Sequence, residues 1–195
     1  RKSFPSDLKK DLRIKGAPAP KLEACVYIPL LKSLEMNDNS VLNMSDVLHS
    51  DAFVLNVNDK ARIDKLYVDC NTSEINLTKN AYADVEIKAA EMLYLISSNS
   101  SKAVVNQTGK ELKIDAAGSS VVNVAAEVEK LNVMTSGTSS VILSSGKAGS
   151  MMVSATGMSK IDAEAFSTPL ADMIQAGTAK CYVNVTDTLR VNLTG

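Results

Sequence analysis

Residues 131–143 read LNVMTSGTSSVIL, and residues 151–163 read MMVSATGMSKIDA. In both stretches apolar residues lie six and four positions before a glycine, and again four and six positions after it. A spacing of two is the period of a β-strand that turns one face inward. The glycine between the two flanks marks a sharp corner with positive φ, because glycine has no Cβ to clash there. The pattern therefore predicts short strands that meet at glycine corners.

The same pattern recurs along the second half of the chain. Its glycines are spaced by 19, 20 and 20 residues, and Gly195 follows after 18 more. A repeat of about 20 residues with two or three short strands is typical of a solenoid rung. The six-residue sub-repeat of left-handed β-helices is absent, so we predict an all-β, single-stranded, right-handed parallel β-helix with Gly, Asn and Ser corners. The predicted glycine corners are Gly118, Gly137, Gly157 and Gly177, and the predicted strands are 112–116, 122–126, 131–135, 141–145, 151–155, 161–165, 171–175, 181–185 and 189–193.

Upstream of residue 112 the repeat continues with other corner residues. Asn99 takes the place of glycine, since asparagine tolerates the left-handed region better than most residues. Asn71-Thr72-Ser73 fits as a shorter corner, and Asn37 to Ser40 fits more loosely. The register within 44–64 and 78–92 stays open. A charged stretch precedes the repeat, and Pro18 and Pro20 follow it, so we expect an N-terminal arm or cap over 1–24 and a solenoid domain over 25–195.

Composition excludes several classes of protein. The net charge is −1, which argues against binding to nucleic acid or to an anionic membrane surface. No apolar run is long enough to predict a transmembrane helix, and no signal peptide is visible in the sequence. The three cysteines Cys25, Cys70 and Cys181 are too far apart for a zinc motif, and we expect them to be small buried residues.

Three stretches resemble one bacterial family, the auto-transporter adhesins with a head GIN domain. They are the half-rung 131–143, the strand and proline of VYIPLLKSL at 26–34, and the rung 66–77. The resemblance covers about residues 12 to 195. It implies a β-solenoid that is secreted or anchored to the envelope of a Gram-negative bacterium, with no established enzymatic activity. The first half departs from the family pattern because asparagine-rich corners replace Ser-Gly.

The residues offer little for catalysis. His49 is the only histidine, so a single chain cannot build a histidine-based triad or a histidine-rich metal site. We place it in a solvated turn. Asp162 and Glu164 point outward from one strand, and the repeat stacks Asn184 on Glu164, which gives a weak candidate for carbohydrate or cation binding. A good Ca²⁺ site needs six or more oxygen ligands, so we predict no metal, no cofactor and no enzymatic activity.

Five apolar residues occupy positions that the repeat turns outward. Odd offsets from the corner glycines face solvent when even offsets face the core. These residues are Met134, Ile142, Met152, Ile174 and Tyr182. We expect the N-terminal segment, a second copy of the chain or another partner to cover them.

Two functions remain open from the sequence. The first is a non-catalytic display or adhesion-type module of the cell surface or periplasm, which contacts a protein or glycan surface and can form a homo-oligomer. The second is a degenerate carbohydrate-active or carbohydrate-binding β-helix. A flat face with an apolar stripe favours the first, and a deep groove lined with carboxylates and aromatic rings favours the second.

Overall fold

A computed structural model describes residues 30–195, and in this range the chain forms nine β-strands and no helix. The arm predicted over 1–24 lies outside the described residues. Strands β1 and β2 begin the fold, and each later strand adds one rung. The strands are β1 Ser33–Met36, β2 Val41–Val57, β3 Arg62–Leu77, β4 Tyr82–Ser97, β5 Lys102–Ala116, β6 Val121–Thr135, β7 Ser140–Ala155, β8 Lys160–Ala176 and β9 Lys180–Thr194.

All neighbouring strands pair in parallel and in the order of the sequence. The result is a β-solenoid of about eight turns, as the repeat predicts. Residues 19 to 20 positions apart become neighbours on adjacent rungs, for example Val124 beside Leu143. The right-handed winding stays a prediction.

Each rung contains one long strand rather than the two short ones that we predicted. The predicted pair 122–126 and 131–135, for instance, lies within the single strand β6. The residues between them also pair with the next rung, as Glu127 does with Lys147 and Val128 with Ala148. Parallel pairing continues there because backbone N–H and C=O groups form hydrogen bonds with the adjacent rung. These bonds do not require that apolar and polar side chains alternate.

The corners follow the prediction in the second half of the chain and at Asn99. Backbone φ is 60° at Asn99 and lies between 70° and 73° at the four predicted glycines. Consecutive corners are also joined by a backbone bond, in which the residue after one corner donates its N–H to the carbonyl of the previous corner at 2.5–2.9 Å. The corner thus belongs to the hydrogen-bonded ladder of the solenoid.

The first half corrects one predicted corner. Asn71-Thr72-Ser73 lies inside β3, where the register against β4 shifts between Cys70 and Thr72. The corner predicted over Asn37 to Ser40 is confirmed at Asp38, with φ of 60°, and the other two corners of this half are Asp59 and Lys79, with φ of 61° and 62°. A polar triplet at a strand irregularity has the same composition as a corner, and that is why the two were confused.

The core is a column of stacked apolar side chains within the rungs. Val124, Leu143 and Ala163 are buried in one line as predicted, and Val183 is half-buried at the last rung. Cys70 is buried and Cys181 is half-buried, whereas Cys25 lies outside the described residues.

Candidate functional site

Three of the predicted outward residues lie together on one face of the solenoid. Met134, Met152 and Ile174 come from β6, β7 and β8, and their exposed fractions are 45%, 55% and 52%. Ser154 lies between them, because it pairs with Met134 on one side and with Ile174 on the other, and it follows Met152 by two residues. Met134 and Ile174 are therefore about 10 Å apart, which is two strand spacings. We call these three residues the Met134 patch.

Polar side chains surround the patch. Asp172, beside Met152 on the next rung, forms an ion pair with Arg190 at 3.3 Å. On the other side Asn132 donates a hydrogen bond to the Glu111 carboxylate at 3.1 Å. An apolar centre with a polar rim is the usual composition of a protein contact surface.

The other two predicted residues, Ile142 and Tyr182, lie on a different face. Both are in the first half of their strands and pair with Asp162 from opposite sides. Ile142 is half-buried and Tyr182 is exposed. The five outward apolar residues therefore form no single surface, and the Met134 patch is the larger exposed group.

The weak carbohydrate candidate is only partly assembled. The Lys160 ammonium binds the Asp162 carboxylate at 3.0 Å and lies 5.3 Å from the centre of the Tyr182 ring. The hydrogen bond from Lys160 holds the pKa of Asp162 below its ordinary value. Lys160 and Lys180 stack as expected from the repeat.

The expected stacking of Asn184 on Glu164 is wrong. The register between β8 and β9 shifts after Ala163, so Asn184 pairs with Ser167 instead. Its amide donates to the backbone carbonyl of Glu164 at 3.3 Å, not to the carboxylate. The shift places the Phe166 side chain in the core, where it is fully buried. The two carboxylates and the amide therefore do not converge.

His49 is exposed, as predicted, but it lies within β2 and not in a turn. Its Nδ1 atom is 3.8 Å from the Asp69 carboxylate. Within residues 30–195 no three His, Cys, Asp or Glu side chains are grouped closely enough to hold a metal ion. In the same range no helix has the length and apolar character needed to span a membrane.

A shallow recess between β2 and β3 was not predicted from the sequence. It has a volume of about 340 Å³ and is lined by Asn43, Met44, Ser45, Val47, Lys65 and Tyr67. Lys65 binds Asp84 at 3.0 Å and lies 3.7 Å from Glu86. Burial is the largest single influence on the pKa of Lys65 and lowers it, but the hydrogen bond and charge of Asp84, together with the charges of Tyr67 and Glu86, outweigh it, so the net shift is upward. The recess forms where the register slips twice, between Leu42 and Val47, and no periodic pattern marks such a slip.

Comparison with known families fits this architecture. Residues 65–195, about two thirds of the chain, match the family described as "Putative auto-transporter adhesin, head GIN domain". The chain belongs to this family. No curated protein matches the chain, and no solved structure matches it either.

Proposed function

We propose that this head GIN domain is a non-catalytic interaction module displayed at the cell surface or in the periplasm of a Gram-negative bacterium. The Met134 patch is the observation that carries the proposal. Complete burial of a large apolar side chain is worth about 1.5–3 kcal/mol, and these three are about half exposed, so a protein contact would recover part of that free energy at each of them. The family name, with its reference to auto-transporter adhesins, supports the surface location.

The geometry of the candidate sites favours a binding role over a catalytic one. Two of the lysines at the candidate sites are held in ion pairs, Lys160 with Asp162 and Lys65 with Asp84. A paired carboxylate of lowered pKa is a weak general acid, because it stays ionised at neutral pH. A rigid sheet with side chains fixed by rung-to-rung pairing is, in contrast, a good scaffold for a contact surface.

A second copy of the chain is the partner to test first, because outward residues on a flat strand face can meet their own equivalents across a two-fold axis. Sedimentation velocity at rising protein concentration should show self-association of the wild type. The double variant Met134→Lys/Ile174→Lys should fold as a monomer and should not self-associate, because it places two positive charges in the proposed interface.

The control changes Ser119→Lys and Met158→Lys, two exposed corner residues that are also two rungs apart and lie off the patch. This control should associate like the wild type. A wild type that stays monomeric, or a control that loses association as fully as the patch variant, contradicts the proposal.

One observation favours the carbohydrate-binding alternative. Tyr182 is exposed beside Asp162, and an aromatic ring next to a charged hydrogen-bonding group is a common way to bind a sugar. Binding to a glycan array that is lost in Tyr182→Ala, but kept in Met134→Lys/Ile174→Lys, would favour this function.

A further inference from the structure

Two neighbouring methionines of this solenoid differ strongly in exposure. Met151 and Met152 are consecutive in β7, yet Met151 is 2% exposed and Met152 is 55% exposed. Successive side chains of a strand point to opposite faces, and that alternation alone separates them. The other methionines range from buried (Met36, Met173) through half-buried (Met44, Met92) to exposed (Met134, and Met158 at a corner off the patch).

We propose that Met134 and Met152 are sites of sulfoxidation by peroxides, and that their oxidation removes the apolar character of the Met134 patch. Two of the three apolar side chains of the patch are thioethers, and the third, Ile174, has no oxidisable atom. The consequence for binding rests on the function proposed above, but the chemical selectivity does not.

The reaction needs only the thioether and the oxidant. The methionine sulfur attacks one oxygen of hydrogen peroxide, an S–O bond forms and the O–O bond breaks. The sulfur loses two electrons and becomes a sulfoxide, and the peroxide is reduced to water. The product is polar and chiral, and sulfoxide reductases return it to methionine.

The fold tolerates this change at the patch and not in the core. Met134 and Met152 point away from the solenoid, so a new oxygen atom there meets solvent. The same oxygen on Met151 or Met173 would enter a close-packed core, where an unpartnered polar atom costs free energy. Oxidation of the native protein should therefore change its surface and preserve its solenoid.

The first measurement treats the folded 195-residue protein with hydrogen peroxide and maps the products by peptide mass spectrometry. Met134 and Met152 should gain about 16 Da each, and Met152 should accumulate at least about tenfold more sulfoxide than Met151. In the urea-unfolded chain the two neighbours should oxidise at equal rates, which serves as the internal control. Equal oxidation of Met151 and Met152 in the folded protein overturns the proposal.

The second measurement follows the apolar surface directly, by retention on a phenyl column. Because Met158 is also exposed, the comparison uses proteins that carry Met158→Leu. Oxidised Met158→Leu should elute earlier than the same protein untreated, and treatment with sulfoxide reductases should restore the retention. Met134→Leu/Met152→Leu/Met158→Leu should be retained alike before and after peroxide, because leucine keeps the apolar surface without the sulfur. Unchanged retention of oxidised Met158→Leu overturns the proposal. Loss of self-association is scored separately, so that a wild type already monomeric before oxidation contradicts only the proposed function.

Discussion

The four early corners and the four late corners build the same turn from different residues. Asp38, Asp59, Lys79 and Asn99 adopt φ of 60° to 62°, whereas the four glycines adopt 70° to 73°. The early values lie close to the centre of the left-handed region, near 57°, where a residue with a Cβ is least strained. The glycines lie farther from that centre, where the absence of a Cβ matters more.

Side-chain contacts offset the strain at two of the early corners, Asp59 and Lys79. The left-handed conformation costs a residue with a Cβ about 1–2 kcal/mol. Lys79 binds Asp59 on the preceding corner, and the Thr78 hydroxyl donates to Asn58 at 2.8 Å. The late corners have no such side chain at the turn residue. The comparison shows that backbone hydrogen bonds between rungs define the corner. The corner position itself can hold either glycine or a polar residue with a Cβ.

The largest expected effect is at a late corner. A Cβ on Gly137 would lie 2.8 Å from the carbonyl oxygen of Gly118, and its φ is 71°. Gly137→Val should therefore lower the free energy of unfolding by about 2–3 kcal/mol in a urea titration. Gly137→Asn should cost clearly less, because Asn99 occupies the equivalent position in the chain. A valine variant as stable as the wild type would show that the corner is not confined as described.

The cysteines of the two halves should differ in alkaline solution. Burial, with a smaller contribution from Asp69, raises the pKa of Cys70 to about 11. Because the folded pKa lies above the unfolded one, this stabilisation is complete below the ordinary thiol pKa and is lost as pH rises towards about 11. Wild type should lose about 1–3 kcal/mol more than Cys70→Ala over this range.

The half-buried Cys181 provides the control for the alkaline measurement. Its pKa is also raised by burial, and Cys181→Ala should follow the wild-type profile more closely than Cys70→Ala does. Identical pH profiles for wild type and Cys70→Ala would rule out this role for the Cys70 thiol.

A smaller effect is expected two residues after the corner. This buried position is Ala after the corners Asp59, Lys79 and Gly177, and Ser after the corners Asn99, Gly118, Gly137 and Gly157. The Ser139 hydroxyl donates to the carbonyl oxygen of Ala116 at 2.8 Å, and within the described residues the Ser120 hydroxyl has no partner. Ser139→Ala should cost about 1 kcal/mol, and Ser120→Ala should be neutral or stabilising. Equal losses in thermal unfolding would contradict this difference.

The smallest effect is expected on converting an early corner into a late one. Lys79→Gly relieves left-handed strain, but it removes the exposed bond to Asp59 and makes the unfolded chain more flexible. These contributions oppose each other, so the free energy of unfolding should change by less than about 1 kcal/mol. A larger loss would mean that the Lys79 side chain, and not the backbone ladder, holds this corner.

The same comparison explains what the sequence could predict. Glycine marks positive φ in a sequence, so the late corners could be located by counting residues. The same count placed Met134, Met152 and Ile174 at odd offsets from the corners and therefore on the outer face. Lysine and aspartate have no such association with the left-handed region, and Asp59 and Lys79 could not be recognised as corners. These positions are set by the rung above and below, which is tertiary information.

Register shifts account for the remaining errors at the candidate sites. Asn184 was placed on Glu164 by counting 20 residues, and the shift after Ala163 moves it to Ser167. The recess beside Lys65 arises from similar slips between β2 and β3. A repeat predicts contacts only while each rung has the same length, and bulges change that length without an obvious sequence signal.

A crystal structure of the 195-residue chain tests the central claim most directly, because it measures the corner dihedrals of both halves in one molecule. We predict positive φ at Asp59 and Lys79 as well as at Gly137 and Gly157, with Asp69 beside Lys88 and Glu127 beside Lys147 in one continuous parallel ladder. Antiparallel hairpins within residues 44–92, or negative φ at both Asp59 and Lys79, would contradict a single solenoid whose corners are defined by backbone bonding.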